Sequence, residues 1–133
     1  MAIVPVAKGL YLCERYIGYS DAKVDLYGLF NAIRPKKGFP DSLSRFCVFA
    51  QLINGLGHVP FFIDIRFAET DELVHVTQTN TVNFPDRHTT LHMALKIEGC
   101  RFPRQGLYIL DLFCDNTWVC DAQLLLLELE GTT

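Results

Sequence analysis

The apolar positions of this chain recur more often every second residue than with the 3.6-residue period of a helix, which predicts strands. Apolar residues at the odd positions of 61–67 and 91–97 alternate with more polar ones, as in strands with one buried face. Residues 73–82 contain Val, Thr and Asn with almost no helix former, and they are predicted as one strand.

Five more apolar runs bring the predicted number of strands to about eight: 10–16, 24–33, 47–53, 107–114 and 117–129. Short segments with turn chemistry separate them, and Asp41 is the N-cap of the best helix candidate, a single short turn. The pattern indicates one domain, residues 1–133, that folds as an all-β, immunoglobulin-like antiparallel β-sandwich of about seven to nine strands. The predicted core comprises Phe61, Ile63, Ile65, Phe67, Leu91, Met93, Leu95, Ile97 and Tyr108.

The pair Asp115-Asn116 lies between two apolar runs and predicts a two-residue hairpin turn. Such a turn places Phe113 opposite Trp118 on one face of the sheet. Strict alternation from the turn would add four apolar residues to that face: Leu107, Ile109, Ala122 and Leu124.

Residues 124–127 are four consecutive leucines, so both faces of the last strand are apolar there. Three explanations remain open: a β-bulge that shifts the register, cover by a loop or by residues 1–8 packed on the sheet edge, or a protein–protein surface. The third explanation gives five candidate interaction residues: Trp118, Phe113, Phe62, Leu125 and Leu127.

Composition and charge narrow the classes of function. The 133-residue chain has a net charge of −3, which disfavours nucleic acid as a partner. It shows neither a secretory signal nor the roughly 18 continuous apolar residues of a membrane helix, so we expect a soluble, cytoplasmic protein that does not contact the membrane. Five cysteines, an odd number without the spacing of a zinc or redox site, are expected to be small buried apolar residues.

Candidate catalytic chemistry is sparse. No nucleophile elbow or phosphate-binding glycine loop is present, and we expect no enzyme activity and no cofactor. Asp86, His88 and His75 form the best candidate metal site. Asp111 lies in mid-strand, where aspartate is unfavourable; the favoured explanation is an outward-facing position or a cross-strand pair, for example with Arg66.

Several short motifs in a fixed order resemble those of a family of small bacterial domains of unknown function: Leu12-Cys-Glu-Arg15, Val24–Ile33, Phe39-Pro40, Cys47–Ala50, Gly57-His58 and Phe102-Pro-x-x-Gly-x-Tyr108. The resemblance extends from about residue 10 to residue 129. It implies an immunoglobulin-type β-sandwich, and it implies no activity, ligand or catalytic residue.

The hypothesis that follows is a non-catalytic binding or interaction module, with a protein partner or a second copy of itself as ligand. A metal-binding protein or metal-dependent enzyme that uses Asp86, His88 and His75 is the alternative.

Overall fold

The structure, a computed structural model, describes residues 1–35, 38–39 and 45–128. Within these ranges there is no helix, and hence none that could cross a membrane. The described residues form eleven strands: β1 Val6–Cys13, β2 Arg15–Gly18, β3 Val24–Tyr27, β4 Ala32–Ile33, β5 Arg45–Ile53, β6 Gly57–Phe67, β7 Glu72–Val76, β8 Asn80–Phe84, β9 Leu91–Glu98, β10 Gly106–Cys114 and β11 Thr117–Leu126.

Two main sheets share one core. The smaller sheet has the strand order β1-β5-β9, and the larger has the order β4-β11-β10-β6-β7, with β8 also paired to β6. Each pairing is antiparallel except that of β4 with β11, which is parallel. Strands β2 and β3 form a separate antiparallel hairpin. The prediction of an all-β, antiparallel fold is therefore confirmed, with more strands than the seven to nine expected.

The core lies between the alternating inner faces of the two sheets. Seven of the nine predicted core residues are buried in it, whereas Leu91 and Leu95 are only half-buried and pack against it. Both lie on β9, an edge strand of the smaller sheet that pairs only with β5. Met93 and Ile97 of the same strand are buried, so the partial exposure is confined to these two leucines.

Three predicted strands are each divided in two. Residues 10–16 include the end of β1 and the start of β2, with Glu14 between them. Residues 73–82 form two strands, and the ladder of the first ends at Thr77. The backbone N–H of Thr77 donates to the carbonyl of Ile63 at 2.9 Å, but the Ile63 N–H donates to the Thr77 hydroxyl, also at 2.9 Å, in place of a backbone carbonyl. Residues 24–33 are also divided, because Gly28 adopts a φ of +66° between β3 and β4. The helical turn proposed at Asp41 lies outside the described residues.

The N-terminal segment is part of the fold. Ile3 forms a bridge with Leu56, and residues 6–8 are the first residues of β1, paired with β5. The segment therefore packs beside β5 and β6, and the cover over the last strand comes from elsewhere.

The C-terminal hairpin has the predicted turn. Asp115 and Asn116 have φ values of 50° and 60°, as a primed two-residue turn requires, and Phe113 pairs with Trp118. The next pair is Leu112 with Cys120, so Val119 is an extra residue that forms a β-bulge.

This bulge corrects the predicted composition of the hairpin face. Beyond it, Ala122 pairs with Leu110 and Leu124 pairs with Tyr108, both buried residues of β10. Leu124 and Leu126 consequently point into the core, on the face opposite to Trp118. The bulge is the first of the three explanations considered for the leucine run.

Candidate functional site

The outer face of the larger sheet carries two cross-strand rows of side chains. Paired residues of neighbouring antiparallel strands point to the same face of a sheet. Phe113 of β10 is paired with Phe62 of β6 on one side and with Trp118 of β11 on the other. We call Phe62, Phe113 and Trp118 the aromatic row.

The adjacent row is acidic. Asp111 of β10 is paired with Asp64 of β6 on one side and with Asp121 of β11 on the other. We call Asp64, Asp111 and Asp121 the aspartate row. The pairing of β6, β10 and β11 thus brings three aromatic and three acidic residues together from segments distant in sequence.

The aromatic row has a packed end and an exposed end. The rings of Phe62 and Phe113 are stacked, with centroids 5.1 Å apart and an interplanar angle of 13°, and both residues are half-buried. Trp118 is 54% exposed. Three of the predicted interaction residues, Trp118, Phe113 and Phe62, are therefore neighbours on one surface.

The other two predicted interaction residues are partly covered. Leu125 pairs with Ala32 of β4, and its backbone N–H donates to the carbonyl of Asn31 at 2.8 Å. The backbone N–H of Leu127 donates to the carbonyl of Ile33 at 3.1 Å. Residues 31–33 therefore lie along the edge of β11 beside these two leucines, both of which are half-buried.

Asp64 is the one charged residue that is buried among the described residues, at 7% exposure. Its Oδ2 lies 3.5 Å from Nε of Arg66, whereas its Oδ1 is closed to solvent and has no hydrogen-bond partner among the residues that the structure describes. Burial raises the pKa of the Asp64 carboxyl; Arg66 opposes the shift and the neighbouring Asp111 carboxyl adds to it. A buried carboxylate with an unsatisfied oxygen costs folding free energy.

The two rows are connected by a hydrogen bond. The indole Nε1–H of Trp118 donates to Oδ1 of Asp111 at 2.9 Å. This bond anchors the edge of the exposed ring to the acidic row, so that the ring has a defined orientation on the sheet.

Asp111 lies on the outward face of β10, one of the two explanations considered for it, and Arg66, the example given for a cross-strand pair, is not its partner. Arg66 lies opposite Ile109, one row further along β10, and its nearest carboxylate is that of Asp64 on its own strand. The aspartate row was not foreseen as a unit. Its sequence signal is an aspartate in the middle of each of three apolar strands, but only the strand register shows that the three align.

The candidate metal ligands are not assembled. Among the described residues, no three His, Cys, Asp or Glu side chains are grouped closely enough to hold a metal ion. Oδ1 of Asp86 accepts hydrogen bonds from the backbone N–H groups of His88 and Thr89 at 2.8 and 3.0 Å and from the Thr89 hydroxyl at 3.1 Å. These bonds lower the pKa of Asp86, with the His88 N–H as the largest cause.

His75 belongs to a different surface. It lines a cleft of about 790 Å³ between β7 and β9, together with Lys96 and Glu98 of β9. Burial lowers the pKa of His75 and so favours its neutral form.

The cysteines are free thiols; Cys13, Cys47, Cys100 and Cys114 are buried and Cys120 is half-buried. Burial raises the pKa of Cys100 to about 12 and the pKa values of Cys114 and Cys120 to about 11. The nucleophilic form of cysteine is the thiolate, and such pKa values keep these three groups as thiols at neutral pH.

Comparison with known protein families identifies the class of the chain. Residues 9–126 match the model of a family of unknown function, DUF6941, and the chain belongs to that family. The resemblance noted from the sequence motifs is thereby confirmed as membership of a family of unknown function. No curated protein matches the chain.

Proposed function

We propose that this protein is a non-catalytic binding module that contacts a protein partner, or a second copy of itself, through the aromatic and aspartate rows. Exposed tryptophan next to packed aromatic side chains is typical of the energetic centres of protein interfaces. The proposal includes a cytoplasmic location, no cofactor, and no nucleic acid or membrane as partner, in keeping with the net charge of −3.

One observation carries the proposal: Asp64 is buried with an unsatisfied Oδ1, on the same face as the exposed Trp118. The unsatisfied oxygen of Asp64 costs stability, and the exposed part of the Trp118 ring is apolar surface left in water. Residues that cost stability concentrate where a protein binds or reacts.

We also propose the finer fold class, an immunoglobulin-like sandwich. The order β1-β5-β9 corresponds to strands A-B-E of that fold, and β11-β10-β6-β7 corresponds to G-F-C-C′. The hydroxyl of Tyr108, near the start of β10, donates to the carbonyl of Arg104 at 2.6 Å, as in the tyrosine corner of strand F.

The oligomeric state is the first test of the proposal. Light scattering on untagged, reduced protein over a dilution series should be repeated with Trp118→Ala and with Tyr11→Ala, an exposed aromatic residue on β1 of the smaller sheet. A dimer that dissociates in the Trp118 variant only would make the face a self-interface.

If the wild type is a monomer, the same variants serve as matched baits in an extract of the source organism. A protein retained by the wild type and by Tyr11→Ala, and lost with Trp118→Ala, supports the proposal once direct binding of that protein is reproduced with purified components. Identical sets of bound proteins on all three baits would contradict it.

Elemental analysis tests the metal alternative independently. No described group of side chains favours it, and Oδ1 of Asp86 is already engaged in a turn. A stoichiometric transition metal in untagged protein would restore it.

A further inference from the structure

We propose that the aspartate row and Trp118 together bind the guanidinium group of an arginine side chain on a partner protein. This inference rests on the proposed function and specifies the chemistry of the partner. Asp111 and Asp121 would accept hydrogen bonds from the guanidinium group, and the ring of Trp118 would lie against its plane.

The charge of the face is the first argument. Three carboxyl groups occupy the aspartate row, and the adjacent cation, Arg66, is already engaged: its Nε approaches Asp64 and its Nη1 donates to the backbone carbonyl of Asp71 at 3.1 Å. Within the described part of the chain, neither Asp111 nor Asp121 has an ion pair. The row therefore has more negative than positive charge, and the complementary ligand is a cation.

The buried oxygen of Asp64 is the second, independent argument. Among the described residues no N–H group donates to its Oδ1, and its neighbour across the strand pair is the Asp111 carboxyl, which adds negative charge to the same place. A cation bound at Asp111 lowers the electrostatic repulsion between these two carboxyl groups. In the free protein this repulsion is not compensated, and a bound cation reduces it. The free energy of binding a cation is therefore more favourable.

The ring of Trp118 favours guanidinium over ammonium. Its N–H is already bonded to Asp111, which holds a carboxylate at the edge of a rigid, exposed aromatic surface. A guanidinium group is planar, so it can stack on an aromatic ring and still donate two parallel hydrogen bonds to a carboxylate. A lysine ammonium is a compact, strongly hydrated charge that cannot do both in this way.

The chain offers a direct spectroscopic test, because Trp118 is its single tryptophan. Indole fluorescence should be followed while N-acetyl-arginine methylamide is added at constant ionic strength. The lysine analogue and the neutral citrulline analogue are the comparison probes. We expect a saturable change with the arginine probe, a weaker response to lysine and none to citrulline.

Two variants and a matched control locate the site. Asp111→Asn keeps an acceptor for the Trp118 N–H but removes a charge, and Asp121→Asn removes a charge from an exposed position. Each should weaken binding of the arginine probe by about two- to fivefold, as expected for a partly solvated ion pair. Asp21→Asn, an exposed aspartate outside the larger sheet, should leave binding unchanged.

Three results would overturn the inference: no saturable change, equal responses to arginine and citrulline, or an equal loss in Asp21→Asn. Dissociation of a wild-type dimer by Asp111→Asn or Asp121→Asn would also overturn it, since the occupant would then be a second copy. A captured partner that is lost with Trp118→Ala but retained by both aspartate variants would support the proposed binding face. The same result would contradict the inference that the face binds arginine.

Discussion

Trp118 and Asp111 are joined across β10 and β11 by an indole N–H to carboxylate hydrogen bond of 2.9 Å. The turn at Asp115-Asn116 places Trp118 on the face that carries Asp111, and the bulge at Val119 then turns Leu124 and Leu126 of the same strand towards the core. The extra residue in β11 therefore allows one strand to carry Trp118 on the outer face of the sheet and Leu124 and Leu126 on the face that packs in the core.

Replacement of Trp118 by alanine should leave the fold intact. The side chain is 54% exposed, so we expect a loss of about 0.5–1 kcal/mol in the free energy of unfolding, from its exposed hydrogen bond and its partial burial. Leu110→Ala, at a fully buried position of the neighbouring strand, should cost about 2–5 kcal/mol. Denaturant unfolding measures both, and a Trp118 variant as unstable as the Leu110 variant would show that Trp118 is a core residue.

Replacement of Asp64 by asparagine should stabilise the protein at neutral pH. The folded-state pKa of Asp64 is raised by burial, so the folded protein binds this proton more tightly than the unfolded chain. Its stabilising contribution is fully present below the unfolded pKa of about 3.9, and it is lost as the pH rises through the higher folded pKa. Asparagine removes the charge and supplies N–H donors that can reach Asp111, so we expect a gain of about 1 kcal/mol at pH 7.

The pH dependence distinguishes this effect from a general change in charge. The advantage of Asp64→Asn over the wild type should shrink as the pH falls below the raised pKa and approach zero near the unfolded value. Urea unfolding of both proteins at a series of pH values would measure it. Asp121→Asn, an exposed member of the same row, controls for the loss of one negative charge. A stability difference for Asp64→Asn that does not vary with pH would contradict the raised pKa.

The strands and the hairpin turn could be predicted because their signals are local. Alternation predicted the four buried apolar residues of 61–67, though not the burial of Asp64 among them. The positive φ values at 115 and 116 agree with the turn expected of Asp-Asn. The division of 73–82 could not be predicted, because no glycine or proline marks it and only the pairing of β7 and β8 with different parts of β6 shows it.

The candidate site could be predicted only in part, because register depends on contacts between distant segments. The turn placed Phe113 opposite Trp118, but nothing in the sequence aligned Asp64 with Asp111. The bulge at Val119 leaves no local signal either: β-branched residues such as valine are common in regular strands. Aligned residues on three strands become evident as a site only once the sheet is formed.

Tyr108 should stabilise the turn before β10 through its hydroxyl group. That group donates to the carbonyl of Arg104 at 2.6 Å and accepts from the backbone N–H of the same residue at 3.3 Å. Tyr108→Phe keeps the buried ring but leaves both backbone groups without this partner, and we expect a loss of about 1–2 kcal/mol in unfolding free energy. Tyr11→Phe, whose hydroxyl forms no hydrogen bond within the described residues, is the control and should match the wild type in thermal and denaturant unfolding.

Asn116 occupies a backbone conformation that favours glycine. Its φ is 60°, in the left-handed region, where asparagine is tolerated and alanine is penalised by about 1 kcal/mol. We therefore expect Asn116→Gly to raise the free energy of unfolding slightly, by about 0.5 kcal/mol after the larger entropy of an unfolded glycine is subtracted, and Asn116→Ala to lower it. Thermal unfolding of the two variants compares them at one site, without any change in the core. An alanine variant as stable as the glycine variant would mean that the turn does not need a positive φ at this position. The two-residue turn would then no longer explain the register that pairs Trp118 with Phe113.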